Sequence, residues 1–237
     1  VALRQPIDYY DAVVNVDISR TDGVKRDPEK AKRLLRSYAR NLASQTSIET
    51  YRSDMDPNDP VSNDTLYSYL SVLRRIFVLE DTPAWNPNLR SKTAIRTTDT
   101  RYFTDPSIAA AALGIGPGDL IRDPRSFGNF FETLAVRDLR CYADAIGGSV
   151  SHYLDANGLE CDAIVHLRDG RFGLVEVKLG GEALIKEGAA TLTALANSVD
   201  VEKMKKPSFK MVLTAVGQYA FRRDDGIYVV PVGCLKD

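Results

Sequence analysis

Residues 160–179 read ECDAIVHLRDGRFGLVEVKL, two runs of β-forming residues on either side of Arg168-Asp169-Gly170. In the first run, alternation sets Cys161, Ala163, Val165 and Leu167 on one face and Glu160, Asp162, Ile164 and His166 on the other. In the second it groups Val175, Val177 and Leu179 against Leu174, Glu176 and Lys178. Each run thus has one apolar face and one that carries acids. Whether the acidic faces coincide depends on the turn. Arg168-Asp169-Gly170 fits a three-residue hairpin loop, a type I turn closed by glycine in the left-handed region. That loop pairs Leu167 with Arg171, and therefore Asp162 with Glu176. A two-residue Asp-Gly loop would slip the register by one and send the carboxylates to opposite faces. The three-residue loop is the prediction.

Opposed residues of an antiparallel pair have Cβ atoms about 4.5–5.5 Å apart, and like charges there destabilise the sheet unless neutralised. A divalent cation would neutralise them. Hard oxygen donors suit Mg²⁺ or Mn²⁺, and the lack of Cys and His partners argues against zinc. Lys178, on the same face, would orient a water and offset charge gathering on a phosphoryl group. Taken singly, Asp162, Glu176 and Lys178 read as a solvated ion-pair row on an exposed sheet face. Their order around a hairpin, in apolar surroundings, favours a metal site. His166 lies too far along its strand to be an obvious ligand; it and His152 read as partly exposed strand residues. Glu160 is either a further carboxylate of the site or a surface residue.

The flanking sequence supplies a sheet and its cover. Before the hairpin, residues 126–143 form a helix with Phe127, Phe130, Phe131, Leu134 and Leu139 on its core stripe and Glu132 at the edge of that stripe. VSHYL follows as a strand. After the hairpin, Leu184, Ile185, Ala189, Leu192, Leu195 and Ala196 are spaced for a covering helix. FKMVLTAV and GIYVVPVGCL are two more strands, with Asp225-Gly226 turning into the last and Pro231 placing it near an edge. Together these predict a mixed sheet with helices against it.

Upstream the periodicity is helical. Tyr9, Val13 and Val16 share one side of a first helix. Asp27-Pro28-Glu29 caps a second, about 28–43, with Ala31, Leu34, Leu35, Tyr38, Ala39 and Leu42 inward. Thr46 or Ser47 caps a shorter helix. Ser62-Asn63-Asp64 opens a third long one, with Leu66, Tyr69, Leu70, Leu73 and Phe77 on its stripe, which stops before Pro83. Thr93–Arg96 and Arg101–Thr104 read as short strands around a polar turn. Three helices and a two-stranded flap describe a winged helix; a plain three-helix bundle with a loop is the alternative. The Gly/Pro-rich stretch near Gly114 reads as a linker. It lacks the Gly-Lys-Ser/Thr ending of a phosphate loop, and Pro117 removes a backbone donor.

Composition fits a globular chain of two domains. It has 237 residues, 44% of them hydrophobic and 27% charged. No apolar run approaches the roughly 20 residues needed to cross a bilayer, and the N-terminus lacks the order of a secretory signal, so a cytoplasmic location is expected. The three cysteines, Cys141, Cys161 and Cys234, are unpaired in pattern and read as small core residues. The net charge of −1 gives no global pull on nucleic acid, but Val24–Arg101 holds 14 Lys/Arg against 10 Asp/Glu. Arg74, Arg75, Arg90, Lys92 and Arg96 are the candidate contacts to a DNA backbone.

These residues resemble the C-terminal region of a family of prokaryotic AAA-type ATPases. RDPEKAKRLLRSYARNL at 26–42 is similar to its first winged-helix helix, and 62–79 to its third. Arg101–Asp105 resembles its wing, and Phe131-Glu132 its opening nuclease helix. Gly158–Asp162 with Glu176-Val177-Lys178 resembles its acidic core, and Tyr9–Ser19 the end of the ATPase lid. The resemblance implies a lid tail at 1–25, a winged helix at 26–114 and a restriction-endonuclease-like α/β domain at 115–237. In such nucleases Asp162 and Glu176 bind Mg²⁺ with the Val177 carbonyl, Lys178 assists the attacking water and Glu132 supports a second ion. The substrate would be DNA, and the absent Walker motifs imply an N-terminal ATPase domain in a longer protein. A catalytically silent nuclease-fold module that regulates the ATPase is the alternative. Two departures stand out: Cys161 replaces the usual proline before the Asp, and the covering helix lacks a Gln-x-x-x-Tyr motif.

Overall fold

The computed structural model describes residues 4–85, 98–199 and 204–235. It begins on α1 (Gln5–Ala12), which passes through a π-helical segment at Val13–Asp17 into α2 (Ile18–Arg20). The wider π turn resets the buried stripe to Tyr10, Val13, Val14 and Ile18. Tyr9 and Val16, expected inside, are consequently exposed.

α3 (Pro28–Arg40) starts where Asp27 accepts the Glu29 N–H at 2.8 Å, and it buries the predicted stripe, with Leu42 just beyond. Ser47 caps α4 (Ile48–Ser53). Ser62 caps α5 (Asn63–Arg75), its Oγ accepting the Thr65 N–H at 3.1 Å. α5 ends sooner than its spacing predicts. Val78 N donates to Leu73 O at 2.9 Å and Phe77 N to Arg74 O at 3.1 Å, a Schellman closure. Phe77 holds the left-handed position, φ 56°, which turns its ring outward. It is 74% exposed, not a core residue.

The chain then extends. Glu80 N donates to Tyr102 O and Thr104 N to Val78 O, while Ala43 and Ser44 exchange bonds with Arg101. The predicted extended segment at Arg101–Thr104 is therefore paired, but with Val78–Glu80 and with the residues after α3. The other expected strand, Thr93–Arg96, lies outside the described residues. α6 (Pro106–Leu113) ends at a left-handed Gly114. The stretch expected to be an irregular linker contains α7 (Pro117–Arg122), with Pro117 in its first turn, and is followed by α8 (Pro124–Ala145). Val1–Asp81 with Thr100–Thr133 forms one compact unit, and Thr82–Asp99 with Leu134–Asp237 a second. The N-terminal unit is thus helical with short extended pairings.

The C-terminal unit is built on a six-stranded mixed sheet: β1 (Gly148–Leu154), β2 (Glu160–Leu167), β3 (Phe172–Lys178), β4 (Phe209–Thr214), β5 (Phe221–Arg222) and β6 (Tyr228–Pro231). The spatial order is β1-β2-β3-β4-β6-β5. β1, β2 and β3 run antiparallel, β3, β4 and β6 are parallel, and the two-residue β5 is an antiparallel edge. Pro231 sits one strand in from that edge, past the end of β5. α9 (Glu182–Ser198) lies between β3 and β4 in sequence, as a parallel connection requires. Its Ala189, Leu192 and Leu195 share a core with Ile164, Leu174 and Val212, so α9 covers the sheet face that carries the acids. Leu184, expected on that inner stripe, is exposed.

β1 bulges between Ser151 and Tyr153. There His152 N donates to Pro83 O at 2.9 Å, and the His152 carbonyl accepts from Trp85 N at 2.6 Å. This added segment brings the Trp85 ring to 4.9 Å from Phe172 and leaves His152 1% exposed, against the expectation of a partly exposed strand residue. His166 is half-buried as expected, its Nε2 3.2 Å from Ser149 and Ser151 hydroxyls. Among the cysteines only Cys161 is a core residue; Cys141 is exposed and Cys234 half-buried.

Candidate functional site

The turn at 168–170 sets the geometry. Gly170 N donates to Leu167 O at 3.1 Å, Leu167 N to Arg171 O at 2.8 Å, and Gly170 has φ +80°. This is the three-residue loop, and it gives the register Ala163↔Val175. One step further on, Asp162 and Glu176 stand opposite each other on one face. The ladder between β2 and β3 ends at Ala163 and Val175, whereas β3 continues beside β4 through Glu176, Val177 and Lys178. The two strands therefore part where the acids lie.

In that opening Asp162 Oδ2 accepts the Val177 N–H at 2.7 Å, replacing the lost ladder bond. The Phe172 and Lys178 carbonyls accept from Ser208 and Ala215 on the β4 side. Backbone groups alternate along a strand, so Val177 turns both its N–H and its C=O toward β2. The Val177 carbonyl thus shares the Asp162 side of β3. Lys178 Nζ lies 3.1 Å from Glu176 Oε2 and 3.6 Å from Glu187 Oε1 of α9. Glu187 is mostly exposed.

Glu176 is 3% exposed, which removes it from any solvated ion-pair row. Burial pushes its carboxyl well above the usual range; Asp162 adds to the rise and Lys178 opposes it. Burial raises Asp162 likewise, against Lys178 and the Val177 N–H. Burial works against the Lys178 ammonium, but Glu176 and Asp162 outweigh it and keep that amine protonated. Glu160, exposed at the start of β2, adds its field to both acids.

Two participants were not singled out in the sequence. Gly188 is buried on α9, where a Cβ would lie 3.3 Å from Glu176 Cβ and 3.4 Å from both Lys178 Cε and Val212 Cγ2. Its missing side chain lets the helix close over the acids. A lone glycine inside an apolar helical stripe was the available signal. Glu187 had no such signal; the helix phase alone brings it to Lys178.

The remaining expected residues fall elsewhere. Glu132 belongs to the N-terminal unit, where its Oε1 accepts the Tyr102 hydroxyl at 2.5 Å. Arg74 is bound to Asp81 through Nε and Nη2 at 3.1 and 2.6 Å. Arg75 is exposed, and Arg90, Lys92 and Arg96 lie outside the described residues. No group of three or more His, Cys, Asp or Glu side chains is gathered for a metal among the described residues, and no described helix is long and apolar enough to cross a membrane.

Fold and site together define an α/β protein: a helical N-terminal unit, and a mixed-sheet unit holding a buried and a half-buried acid beside one lysine. Residues 4–119 match the family model described as Domain of unknown function (DUF8612), and residues 127–235 match Domain of unknown function (DUF4143), so the two domains cover nearly the whole chain. No curated protein and no solved structure matches it.

Proposed function

We propose that the C-terminal unit is a restriction-endonuclease-like domain that hydrolyses phosphodiester bonds in DNA with Mg²⁺ or Mn²⁺. One observation carries this reading: a buried carboxyl, Glu176, and a half-buried one, Asp162, stand on strands that separate there, with the Lys178 amine 3.1 Å from Glu176. A buried carboxyl resists ionisation until a positive charge arrives, a proton or a metal ion that displaces it. The donor set is all oxygen, from Asp162, Glu176 and the Val177 carbonyl, and it fits a hard divalent ion. Such an ion supplies charge to the phosphoryl oxygens and lowers the pKa of bound water. Lys178, kept protonated by its acids, orients that water and meets negative charge as it gathers on phosphorus. Asp162 is held in place by the Val177 N–H, and α9 excludes bulk water from Glu176.

In the N-terminal unit, α3, α4 and α5 are followed by an antiparallel bridge between Leu79 and Phe103, an order that supports a winged helix. Exposed Arg75 suits a phosphate contact better than Arg74, which Asp81 holds. The resemblance to AAA-type ATPases supports an ATPase domain as the partner of this region in a longer protein. A second reading, a silent nuclease fold that regulates such an ATPase, is favoured by the absence of a three-carboxylate cluster among the described residues.

Calorimetric titration with Mn²⁺, paired with cleavage assays on linear, circular and single-stranded DNA, separates the two. The nuclease reading expects Mn²⁺ binding that Glu176→Ala abolishes, and cleavage above an Asp162→Ala control. Metal binding without cleavage, or neither, leaves the silent module.

A further inference from the structure

Lys178 closes β3, and the chain returns over it at once. Gly180 (φ +125°) and Gly181 (φ +88°) turn the chain from β3 into α9, where an L side chain would be strained. The second turn of α9 consequently lies against the Lys178 side chain. The Lys178 carbonyl accepts the Ala215 N–H at 3.2 Å, which fixes the backbone. Its aliphatic stem runs beside Gly188, where an added Cβ would lie 3.4 Å from Lys178 Cε. What keeps its freedom is the ammonium at the tip.

Glu176 and Glu187 face that ammonium from different depths. Glu176 Oε2, at 3.1 Å, belongs to a side chain 4% exposed, and Glu187 Oε1, at 3.6 Å, to one 65% exposed. The inner distance is that of a hydrogen bond, whereas the outer one lies beyond it. Asp162, the other acid of the site, is turned to the Val177 N–H at 2.7 Å. A small swing of the ammonium on its fixed stem would exchange the inner carboxylate for the outer one. Once Glu176 holds a divalent ion, that swing is favoured. The ammonium and the ion would otherwise share one carboxylate, and like charges a few ångströms apart repel strongly at low effective dielectric. Glu187 is the carboxylate within reach that the ion does not use. Its exposure sets it on the solvent side of Lys178, the side from which a phosphate could approach.

We propose that Glu187 is a positioning residue, which takes over the Lys178 ammonium when a divalent ion engages Glu176 and so holds the amine at the mouth of the site. The proposal rests on the metal-site reading and deepens it. It also gives Gly188 a second consequence: the missing side chain brings the helix backbone, and with it the outer carboxylate, within range of the amine.

The test is a double-mutant cycle on Mn²⁺ affinity, read by calorimetry on the full chain in 0.15 M salt. Glu187→Ala is expected to weaken Mn²⁺ binding about three- to fivefold, the range that one exposed ion pair supplies, and to leave the metal-free urea midpoint unchanged. In a Lys178→Met background the same change is expected to alter affinity less than about 1.5-fold, because no ammonium then needs the outer acid and an exposed charge is screened. Lys178→Gln replaces Lys178→Met if circular dichroism shows that the latter is unfolded. Equal loss in both backgrounds would make Glu187 a ligand of the ion, and no loss in either would make it a surface ion pair; each overturns the proposal while the metal site stands. A wild-type chain that binds no Mn²⁺ removes the metal site and the proposal with it. Coupling between Glu187 and Lys178 without DNA cleavage above an Asp162→Ala control would keep Glu187 in its role and remove the nuclease.

Discussion

Both units bury an acid, and they treat it in opposite ways. In the N-terminal unit Asp81, its side chain 5% exposed, is met by two guanidinium groups, Arg74 at 2.6 Å and Arg101 at 2.8 Å, and by the Tyr38 hydroxyl. Two cations face one anion, and the cluster is closed. In the C-terminal unit Asp162 and Glu176 share Lys178. Two acids face one amine, and burial with the neighbouring Asp162 raises the Glu176 carboxyl to about 8, so that a proton balances the cluster. An unpaired buried charge costs more than a pair gains, so each cluster compensates its acids, the first with guanidinium groups and the second with an amine and a proton.

The largest expected effect breaks the closed cluster. Asp81→Ala strands Arg101 in the interior, and urea unfolding should show a loss of about 3–5 kcal/mol. If stability survives, the two clusters do not differ as described. Next, metal should separate them. With Mn²⁺ at a hundred times its Kd, the melting transition of the wild-type chain should gain about 2.7 kcal/mol. Glu176→Gln should gain nothing from the ion and, without metal, be no less stable than the parent. A metal-free Glu176→Gln protein that melts far below wild type would mean that the acid is structural after all.

A smaller effect sharpens the description of the open cluster. Gly188→Ala improves helix propensity by about 1 kcal/mol, but its methyl lands against Glu176, Lys178 and Val212. The two terms should nearly cancel in thermal stability while Mn²⁺ affinity, followed by calorimetry, falls. The smallest effect concerns His152, whose pKa burial lowers below its ordinary 6.5. The unfolded chain takes up that proton first, so stability is intact above about pH 6.5 and is lost as pH falls toward the folded-state value. Wild type should therefore lose more melting temperature between pH 7.5 and 5.5 than His152→Gln, and equal losses would show that the ring is already protonated inside.

The hairpin was legible because its determinants are local: Asp169 and Gly170 fix the loop, and alternation does the rest. The same holds for the caps at Asp27, Ser47 and Ser62. What the sequence hid was set by tertiary context. The π turn after α1 shifted the inner face from Tyr9 and Val16 to Tyr10 and Val14, and no local pattern announces it. Phe77 continued an apolar stripe, yet the Schellman closure ended the helix before it. The two-residue β5 exists only because β6 offers it an edge. Glu187 reaches Lys178 only through the docking of α9, and His152 is enclosed by Pro83–Trp85, far off in sequence.

The loop at 168–170 acts as a parity selector. Glu176 lies five positions beyond Arg171 at the loop, about 17 Å of strand, yet the loop's residue count decides which side of the sheet Glu176 occupies. Removing one residue there would move every later side chain of β3 to the other side and leave the hydrophobic strand able to pair. Such a one-codon deletion would part Asp162 from Glu176 without changing either side chain.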